Sequence, residues 1–514
     1  MARFDAAATR RLAESLVRIE SVSPSAGESR VAEALLLFSA RAGLEIVPES
    51  RSRLPDGRRN GYAIARGRGR DAIVFLGHTD TVGVADFASD GRPPRDAFRP
   101  ERLRAPRGFL RGRGALDMKS GLAAAAVAAA SRAARRDARG SVIFCAVADE
   151  ENESAGVRSA IEFLARARER FDLRGAVNVD YVTRTASGRV PVYAGTVGKA
   201  LVGVFAHGLP AHAGDPLRGV DASLLLAEAI REIDLDPALA GGASAPPVAL
   251  RFGDMMGAYN VQTPDAAVAF FNLLLEGDGL GARLRAFERA LRRAARSARE
   301  RLASRGRRVG RVAVRRFSSL DAPLARRAGP RAPDARAAAA AAVRDALRAD
   351  RALASEPALV LFLAPPFYPP DDGRRAGALV AAVERALAAE GPAAARQVEI
   401  ARFYPYISDM SFLGLSSLGE RALACAEPEM PVPHGLPLAA MRALGLPSID
   451  MGPVGEGAHS FDERVETRFS FGVLPRLLAR VADEVLDPEA KRKKGPRAGE
   501  RGGRRAANPV TGSR

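Results

Sequence analysis

Five side chains with metal-binding chemistry are spread along the chain, and each closes an apolar run or lies in a glycine-rich loop. They are His78, Asp117, Glu151, Asp180 and His459. Two imidazoles and three carboxylates form a nitrogen and oxygen ligand set that suits divalent metal ions. The sequence therefore predicts a hydrolase with two divalent ions. Zn2+ is the first choice, and Co2+ and Mn2+ are compatible with the same ligands.

His78 follows the strand-like run 71–77, and Asp80 comes two residues later. Residues i and i+2 of an extended chain point the same way, so we expect Asp80 to accept a hydrogen bond from one nitrogen of His78. The other nitrogen is then free for a metal ion, which is the usual arrangement behind a zinc-bound imidazole. Taken alone, a His-x-Asp motif is more often a loop histidine that binds no metal.

Asp117 lies in the glycine-rich loop 111–121, directly before a predicted helix. The chain must bend sharply there, and a short carboxylate can present both oxygens to neighbouring ions. We therefore predict Asp117 as the bridging ligand. The alternative is an acid that interacts with the dipole at the N-terminus of a helix.

Glu150 and Glu151 follow the apolar run 141–148. Adjacent side chains diverge in an extended chain, so one of the two can bind metal while the other handles protons. A carboxylate beside a metal-activated water can serve as general base and then as general acid. The alternative is a solvated acidic loop, because Asp149 and Glu153 lie in the same segment.

The remaining two candidates stand in different contexts. Asp180 ends the short apolar run 176–179, and ligands of a parallel sheet bind beyond the carboxyl ends of its strands. His459 lies in the segment 455–463, where Ser460 and Glu463 have the spacing of a capping box. That spacing predicts a helix directly after the histidine.

The elements around these residues alternate between helix and strand. Apolar spacing predicts helices over 6–20, 29–43 and 155–169, with strands directly before His78, before the Glu150–Glu151 pair and before Asp180. This alternation predicts an α/β fold, with a mixed, largely parallel sheet covered by helices.

A change to strand-rich segments near residue 195 predicts an inserted, smaller α+β domain. The predicted catalytic domain comprises 1–195 and 373–489, the inserted domain 196–372, and a basic disordered tail 490–514. Within the insertion, residues 281–355 are rich in arginine and alanine and predict long, solvent-facing helices.

The formal net charge is +18, but lysine occurs only at positions 119, 199, 491, 493 and 494, and the other basic residues are arginines. Together with the alanine tracts, this favours compositional drift over a phosphate-binding surface. An arginine-rich nucleic-acid-binding protein is the lesser alternative.

The chain has two cysteines, which make a disulfide framework implausible and fit a reducing compartment. The first residues lack the apolar core of a signal peptide, and no uncharged run is long enough to cross a bilayer. We therefore expect a cytoplasmic protein without a membrane partner.

The ordered set of motifs resembles the zinc-dependent amidohydrolase and peptidase family of acetylornithine deacetylase, succinyl-diaminopimelate desuccinylase and aminoacylase. The resemblance covers roughly residues 10 to 275 and 375 to 485. It implies that one ion is held by His78, Asp117 and Asp180, and the other by Asp117, Glu151 and His459. It also implies that Glu150 is the general base and that Asp80 supports His78.

For the inserted domain, the resemblance implies a lid through which two chains form a homodimer. His212, in the segment 209–216, would steady the oxyanion in the active site of the partner subunit, whereas His207 would not. Asn260, in the segment 258–264, would contact the substrate near the hinge of the lid.

The segments 260–264, 270–273 and 403–411 look most like the arginine-utilisation, RocB-type branch of this family. The expected substrate is a small acyl-amino acid or a short peptide, with acylated arginine or ornithine as the first choice and Asp409 facing its cationic side chain. The aspartate-x-arginine strand that grips the substrate's carboxylate in typical members is replaced here by Ala-Phe-Phe-Asn-Leu at 269–273. A non-catalytic, metal-binding relative with a regulatory role is the alternative.

Overall fold

The fold is described from a computed structural model, which covers residues 5–135, 137–240, 245–277, 279–320 and 334–487. The predicted tail at 490–514 lies outside the described residues. The strands are β1 (Glu45–Ile46), β2 (Gly61–Ala65), β3 (Arg68–His78), β4 (Phe109–Arg111), β5 (Arg139–Val147), β6 (Asp172–Asn178), β7 (Val190–Thr196), β8 (Gly198–His207), β9 (Val248–Asp254), β10 (Ala266–Leu275), β11 (Ala313–Arg316), β12 (Ala358–Tyr368), β13 (Val398–Tyr404), β14 (Ser448–Asp450), β15 (Gly455–Glu456) and β16 (Arg464–Glu466).

The α-helices of the described residues differ in length. They are α1 (Ala6–Val17), α2 (Ala26–Arg41), α3 (Ser120–Ala133), α4 (Ala155–Ala167), α5 (Ala222–Ile233), α6 (Leu280–Ser304), α7 (Ala335–Ala349), α8 (Arg351–Ala354), α9 (Gly377–Glu390), α10 (Pro392–Gln397), α11 (Ser417–Ala426), α12 (Leu438–Leu444) and α13 (Leu474–Leu486).

The largest sheet, called here the large sheet, has the strand order β1-β2-β5-β3-β6-β14-β7-β13. Its central strands β5, β3, β6 and β14 run parallel, so their carboxyl ends meet at one edge. The pairings of β1 with β2, of β2 with β5 and of β14 with β7 are antiparallel. The predicted mixed, largely parallel sheet is confirmed.

Small residues allow α3 to approach the carboxyl ends of the central strands. A Cβ on Gly121 would lie 2.0 Å from the carbonyl oxygen of Val179, and one on Gly77 would lie 2.4 Å from the Cε of Met118. Because both glycines lack that atom, the turn before α3 can pack directly against the ends of β3 and β6. This close packing carries Asp117 to the end of the strand that holds His78.

A second sheet, called here the inserted sheet, has the order β11-β12-β8-β10-β9. The chain leaves the large sheet after β7 and enters the inserted sheet at β8, and it returns with β13 after β12. The change of sheet coincides with the predicted boundary near residue 196, and the domain division itself stays a prediction.

The arginine- and alanine-rich helices face solvent on one side only. Leu284, Phe287 and Leu291 of α6 pack with α5 against one face of the inserted sheet. Val343 and Leu347 of α7 pack on the opposite face. The predicted helices thus face solvent with their arginines and the core with their other side, because alanine and leucine at helical spacing form a buried stripe between the arginines.

A small third sheet pairs β16 with both β15 and β4. The strand β4 leads into the loop that contains Asp117, and the connection between β15 and β16 contains His459. Pairing of β16 with β4 therefore brings two distant candidate ligands together. No helix in the described ranges is long and apolar enough to cross a membrane.

Candidate metal centre

Three of the predicted ligands converge at the carboxyl edge of the large sheet. His78 ends β3, Asp117 lies in the turn before α3, and Glu151 follows β5. One ligand atom from each of the three lies within 4.8 Å of the others. The convergence follows from topology, because parallel neighbouring strands end at the same edge.

Asp117 presents one carboxylate oxygen to each of two histidines. Its Oδ1 lies 3.0 Å from Nε2 of His78, and its Oδ2 lies 3.0 Å from Nε2 of His459. The same nitrogen of His459 also lies 3.0 Å from Oε1 of Glu151. Each oxygen of Asp117 thus faces a different histidine, and its role as bridging ligand stays a prediction.

These contacts shift the pKa values of Asp117 and His459 in opposite directions. Burial opposes ionisation of Asp117, but hydrogen bonds from both imidazoles hold its pKa below the usual range. Burial likewise opposes the charge of His459, yet its bonds to Asp117 and Glu151 raise its pKa to about 11. Asp117 is therefore the carboxylate that stays ionised most readily in this site.

Asp180 lies beside this group at the end of β6. Its side chain is buried, and its Oδ1 accepts a hydrogen bond of 2.8 Å from the backbone N–H of Tyr181. Burial, followed by repulsion from Asp117, raises the pKa of Asp180 well above the usual range. The structure thus brings all five predicted ligands to one edge, with Asp180 linked to the others through charge rather than through a hydrogen bond.

Asp80 contacts its predicted partner, His78, and also the backbone of the two glutamates. Nδ1 of His78 lies 3.2 Å from the main-chain oxygen of Asp80 and 3.5 Å from its Oδ1. The carboxylate of Asp80 also accepts hydrogen bonds from the backbone N–H groups of Glu150, at 3.2 Å, and Glu151, at 2.9 Å. One buried acid therefore contacts the imidazole and fixes the loop that carries both glutamates.

Glu150 is the half-buried neighbour of the metal-ligand candidates. Desolvation raises its pKa well above the usual range, and the charges of Glu151, Asp409 and Asp180 act in the same direction against that of His78. A carboxyl group whose pKa is raised by burial and nearby acids is a stronger base than a solvated one once it is ionised. That property suits proton transfer.

Glu463 was read in the sequence as half of a capping box, and that interpretation was wrong. No helix begins directly after His459, which instead lies in a turn with a φ of 63° and is followed by β16. The Oε1 of Glu463 accepts hydrogen bonds from the backbone N–H groups of Leu116, at 3.0 Å, and Asp117, at 3.2 Å, while Arg113 donates to its Oε2 at 2.9 Å. Glu463 is thus a buried anchor that ties the loop of His459 to the turn of Asp117.

A second anchor that the sequence did not reveal lies behind the two glutamates. Arg58 is nearly buried, and its Nη1 donates to Glu28 at 2.7 Å and to Asp149 at 2.8 Å. Asp149 has a φ of 72°, and its second oxygen accepts the N–H of Ala155 at 3.1 Å. No local motif could show this contact, because its partners lie far apart in the sequence.

The two candidates of the inserted sheet lie on adjacent exposed loops. His212 pairs with Gln262, and its Nδ1 accepts the N–H of Gly214 at 3.0 Å. The side chain of Asn260 accepts the N–H of Gln262 at 2.9 Å. Within the described residues, no hydrogen bond or ion pair joins either of them to the metal-ligand candidates. By contrast, His207 is buried and lies 3.0 Å from the carbonyl oxygen of Ala354.

Asp409 lies inside the protein near the cluster. Its side chain is only 2% exposed, and neither carboxylate oxygen has a hydrogen-bond partner among the described residues. Burial raises its pKa to about 7, against the favourable charge of His78. Buried polar atoms are normally satisfied, so the carboxyl group of Asp409 is an exception to that rule.

The residues present fit a pair of divalent ions. Two imidazoles and three carboxylates converge, with Glu150 beside them. Burial and mutual repulsion raise the pKa values of Glu150, Glu151 and Asp180. Divalent cations relieve that accumulation of negative charge, and nitrogen and oxygen donors are the ligands they prefer.

A family comparison agrees with this geometry. The model of the peptidase family M20/M25/M40 matches residues 74–484, which include every candidate ligand. The chain belongs to this family. As a member of the M20/M25/M40 peptidases, the protein is a hydrolase of a metal-binding family, and the predicted family resemblance is confirmed.

Curated relatives match over most of the chain. The YqjN protein of Bacillus subtilis is 28% identical over 532 residues, covering 92% of this chain and 96% of that protein. The RocB protein of the same organism is 25% identical over 551 residues, covering 92% and 94%. Succinyl-diaminopimelate desuccinylase of Paracoccus denitrificans is 31% identical over a shorter stretch, covering 44% of this chain and 56% of the enzyme.

Solved structures show the same fold at low sequence identity. A tripeptidase from Staphylococcus aureus has a TM-score of 0.56 at 15% identity and covers 94% of this chain and 99% of its own. The YXEP protein of Bacillus subtilis, described as a dinuclear metal binding peptidase of the M20 family, has a TM-score of 0.50 at 14% identity, with coverage of 94% and 98%. These likenesses confirm the predicted fold class of a catalytic sheet with a second, smaller domain.

Proposed function

We propose that the protein is a two-metal hydrolase that cleaves the C–N amide or peptide bond of a small acyl-amino acid or short peptide. The observation that carries the proposal is the position of Asp117 between two histidines, with one oxygen facing each at 3.0 Å. A carboxylate held in this way can serve two ions at once, and adjacent Glu151 and Asp180 complete the two ligand sets.

In this proposal His78, Asp117 and Asp180 hold one ion, while Asp117, Glu151 and His459 hold the other. Zn2+ is the expected ion, and Co2+ or Mn2+ suits the same donors. When bound, the ions supply Lewis acidity and lower the pKa of water towards neutrality. Asp80 keeps His78 oriented and holds the backbone of the glutamate loop.

Glu150 is the proposed general base. Its carboxylate accepts a proton from the attacking water and returns it to the leaving nitrogen when the C–N bond breaks. Glu150 and Glu151 are both fixed by Asp80 through their backbone N–H groups, so the base keeps its place relative to the ligands. His212 donates a hydrogen bond to the developing oxyanion.

His212 reaches that position in a homodimer formed through the inserted sheet. The strand β9 lies at the edge of this sheet, and its Leu250 and Phe252 are 57% and 65% exposed. Both residues point to the same face, since they are two apart in a strand. An exposed apolar edge strand is a surface that pairs with another chain, and a second copy would place the loops of His212 and Asn260 against its partner's metal centre.

The proposed substrates are acylated arginine or ornithine, or a small arginine-containing peptide, in cytoplasmic arginine catabolism. The support is the RocB relative and the buried carboxyl of Asp409, which accepts no hydrogen bond from the described residues. An Asp409→Asn variant should raise KM for acyl-arginine more than for acyl-leucine. Equal changes in KM for the two substrates would show that Asp409 does not face the cationic side chain.

The experiment that tests the function is a metal-reconstitution assay. The full-length protein is stripped with a chelator, reloaded with Zn2+, Co2+ or Mn2+, and offered N-acetyl-amino acids and dipeptides. We expect amide hydrolysis that depends on the added ion and favours cationic side chains. Metal binding without turnover on any member of the panel would favour the non-catalytic relative, and salt-sensitive nucleic-acid binding that survives deletion after residue 489 would favour the nucleic-acid alternative.

A further inference from the structure

Lys199 is a half-buried cation on β8 that the mechanism above does not use. Within the described residues its ammonium has no hydrogen bond or ion pair, and its one recorded contact is with the ring of Tyr368, at 5.8 Å from the centroid. An ammonium group has three donors, and burying it without a partner costs free energy unless a ligand provides one. Burial accordingly lowers the pKa of Lys199, against the favourable charge of Glu150.

The position of Lys199 is set by the two connections between the sheets. It comes three residues after the end of β7, and it pairs in register with Tyr368, at the end of β12, where the chain turns back towards the large sheet. The hydroxyl of Tyr368 lies 2.8 Å from Oγ of Ser154, in the segment that follows Glu151. Lys199 is therefore tied to the side of the metal centre occupied by Glu150, within a single chain.

A second cation reaches the same place from the arginine-rich insertion. Arg336, in the first turn of α7, has a nitrogen 3.7 Å from Oε1 of Glu153, two residues after Glu151. The positive charge of Arg336 lowers the pKa of Lys199. Arg336 also pairs with Asp334 at 3.0 Å, so its charge is shared with two carboxylates. Lys199 has no ion pair among the described residues, so its charge is the one that an anionic group of the substrate could meet.

We propose that Lys199, with Arg336 beside it, binds the carboxylate of the amino-acid half of the substrate. This inference rests on the proposed function, because an acyl-amino acid carries its α-carboxylate one carbon away from the scissile nitrogen. With that bond at the metal centre, the carboxylate must lie close to Glu150, the acid whose charge acts on Lys199. The neighbouring strand β10 has no basic residue that could take this role.

The test compares matched pairs of substrates that differ only in this carboxylate. Release of acetate is measured from N-acetyl-L-arginine, N-acetyl-L-ornithine and N-acetyl-L-leucine and from their carboxamides, with the metal-loaded, full-length protein. Charge-assisted hydrogen bonds contribute enough for the carboxylates to be favoured in kcat/KM by about tenfold to a hundredfold in the wild type. Lys199→Met should collapse this ratio towards one, and Lys199→Arg should retain most of it.

Arg311→Met is the matched control, because it removes a cation from the inserted region that is 72% exposed and pairs with Glu356. We expect it to keep the wild-type ratio. A Lys199→Met variant that loses activity equally on acids and carboxamides, or that keeps the wild-type ratio, would overturn the inference.

Failure of the inference can be told from failure of the proposed function. If the wild type hydrolyses acids and carboxamides equally well, the hydrolase stands and the carboxylate anchor is wrong. If the wild type hydrolyses neither, the proposed function fails, and equilibrium binding of the same pairs by calorimetry decides the anchor. Preferred binding of the acids that is lost in Lys199→Met would support it, and equal or absent binding of the two forms would overturn it.

Discussion

The carboxyl edge of the large sheet and the exposed loops of the inserted sheet hold their candidate residues in different ways. At the edge, Asp117 contacts two histidines, and buried Glu463 binds its backbone. On the inserted sheet, the side-chain hydrogen bonds that His212 and Asn260 make to described residues stay within their own pair of loops. In the proposed mechanism the first region needs residues of one chain only, whereas the second acts on the site of a partner chain.

The difference has a physical basis. Carboxylates near each other are costly to bury, so the chain surrounds them with anchors such as Asp80, Glu463 and Arg58 that prevent the loops from moving apart. A histidine in water carries no such cost and needs no anchor. Variants in the two regions should therefore differ in their effects. Those at the edge of the large sheet should lose proton transfer or bound metal, whereas those in the exposed loops should lower kcat and keep the metal.

The largest effect is expected from Glu150→Gln. The variant keeps every proposed metal ligand and the backbone bonds to Asp80, but it cannot accept a proton, so kcat should fall by about 10²- to 10⁴-fold with unchanged metal content. Steady-state kinetics and elemental analysis of the same sample check both statements. Wild-type activity in this variant would remove Glu150 from the mechanism.

His212→Ala should lower kcat by about 10²- to 10³-fold, because one oxyanion donor is lost while the metal centre is untouched. His207→Ala is the matched control. It removes a buried contact with the carbonyl of Ala354, so it should lower the thermal midpoint and leave kcat near that of the wild type. The opposite pattern would exchange the roles of the two histidines.

Co-expression of His212→Ala and Glu150→Gln chains with different tags sharpens the comparison further. A purified mixed dimer contains one site with both residues intact if His212 acts on its partner, and it should regain activity that neither parent dimer has. A mixed dimer as inactive as both parents would mean that His212 acts within its own chain or not at all.

Phe252→Asp should convert the dimer into a monomer, because it places a charge on the exposed edge strand. Activity should then fall to the level of His212→Ala. Leu37→Asp alters an apolar residue of similar exposure, 54%, on α2 of the large-sheet region, and it should change neither property. Light scattering gives the mass of each variant, and a monomeric wild type would contradict the dimer.

Glu463→Gln is expected to have the smallest effect. The amide keeps one acceptor for the turn of Asp117 but loses the ion pair with Arg113, so affinity for Zn2+ should fall by about tenfold to a hundredfold. Glu466→Gln in the adjoining strand removes a more exposed pair with Arg184 and should keep wild-type affinity. Competition with a chromophoric chelator measures both, and equal affinity in the two variants would show that Glu463 does not position Asp117.

The sequence could predict the residues that end strands but not the contacts that hold them. His78, Glu151 and Asp180 were accessible because apolar runs mark the strands, and parallel strands end at one edge. Glu463 was misread because its spacing from Ser460 suits a helix cap equally well, and only the pairing of β16 with β4 decides between the two. Arg58 and Lys199 lacked any local signal, since their partners lie far away in the chain.

The metal content of the purified protein tests the central claim most directly. After dialysis against metal-free buffer, mass spectrometry of the wild type should find two divalent ions per chain, and Asp117→Ala should lose both, because Asp117 is the ligand that the two sites share. A wild type that retains less than one ion per chain, or an Asp117→Ala variant that retains two, would contradict the account.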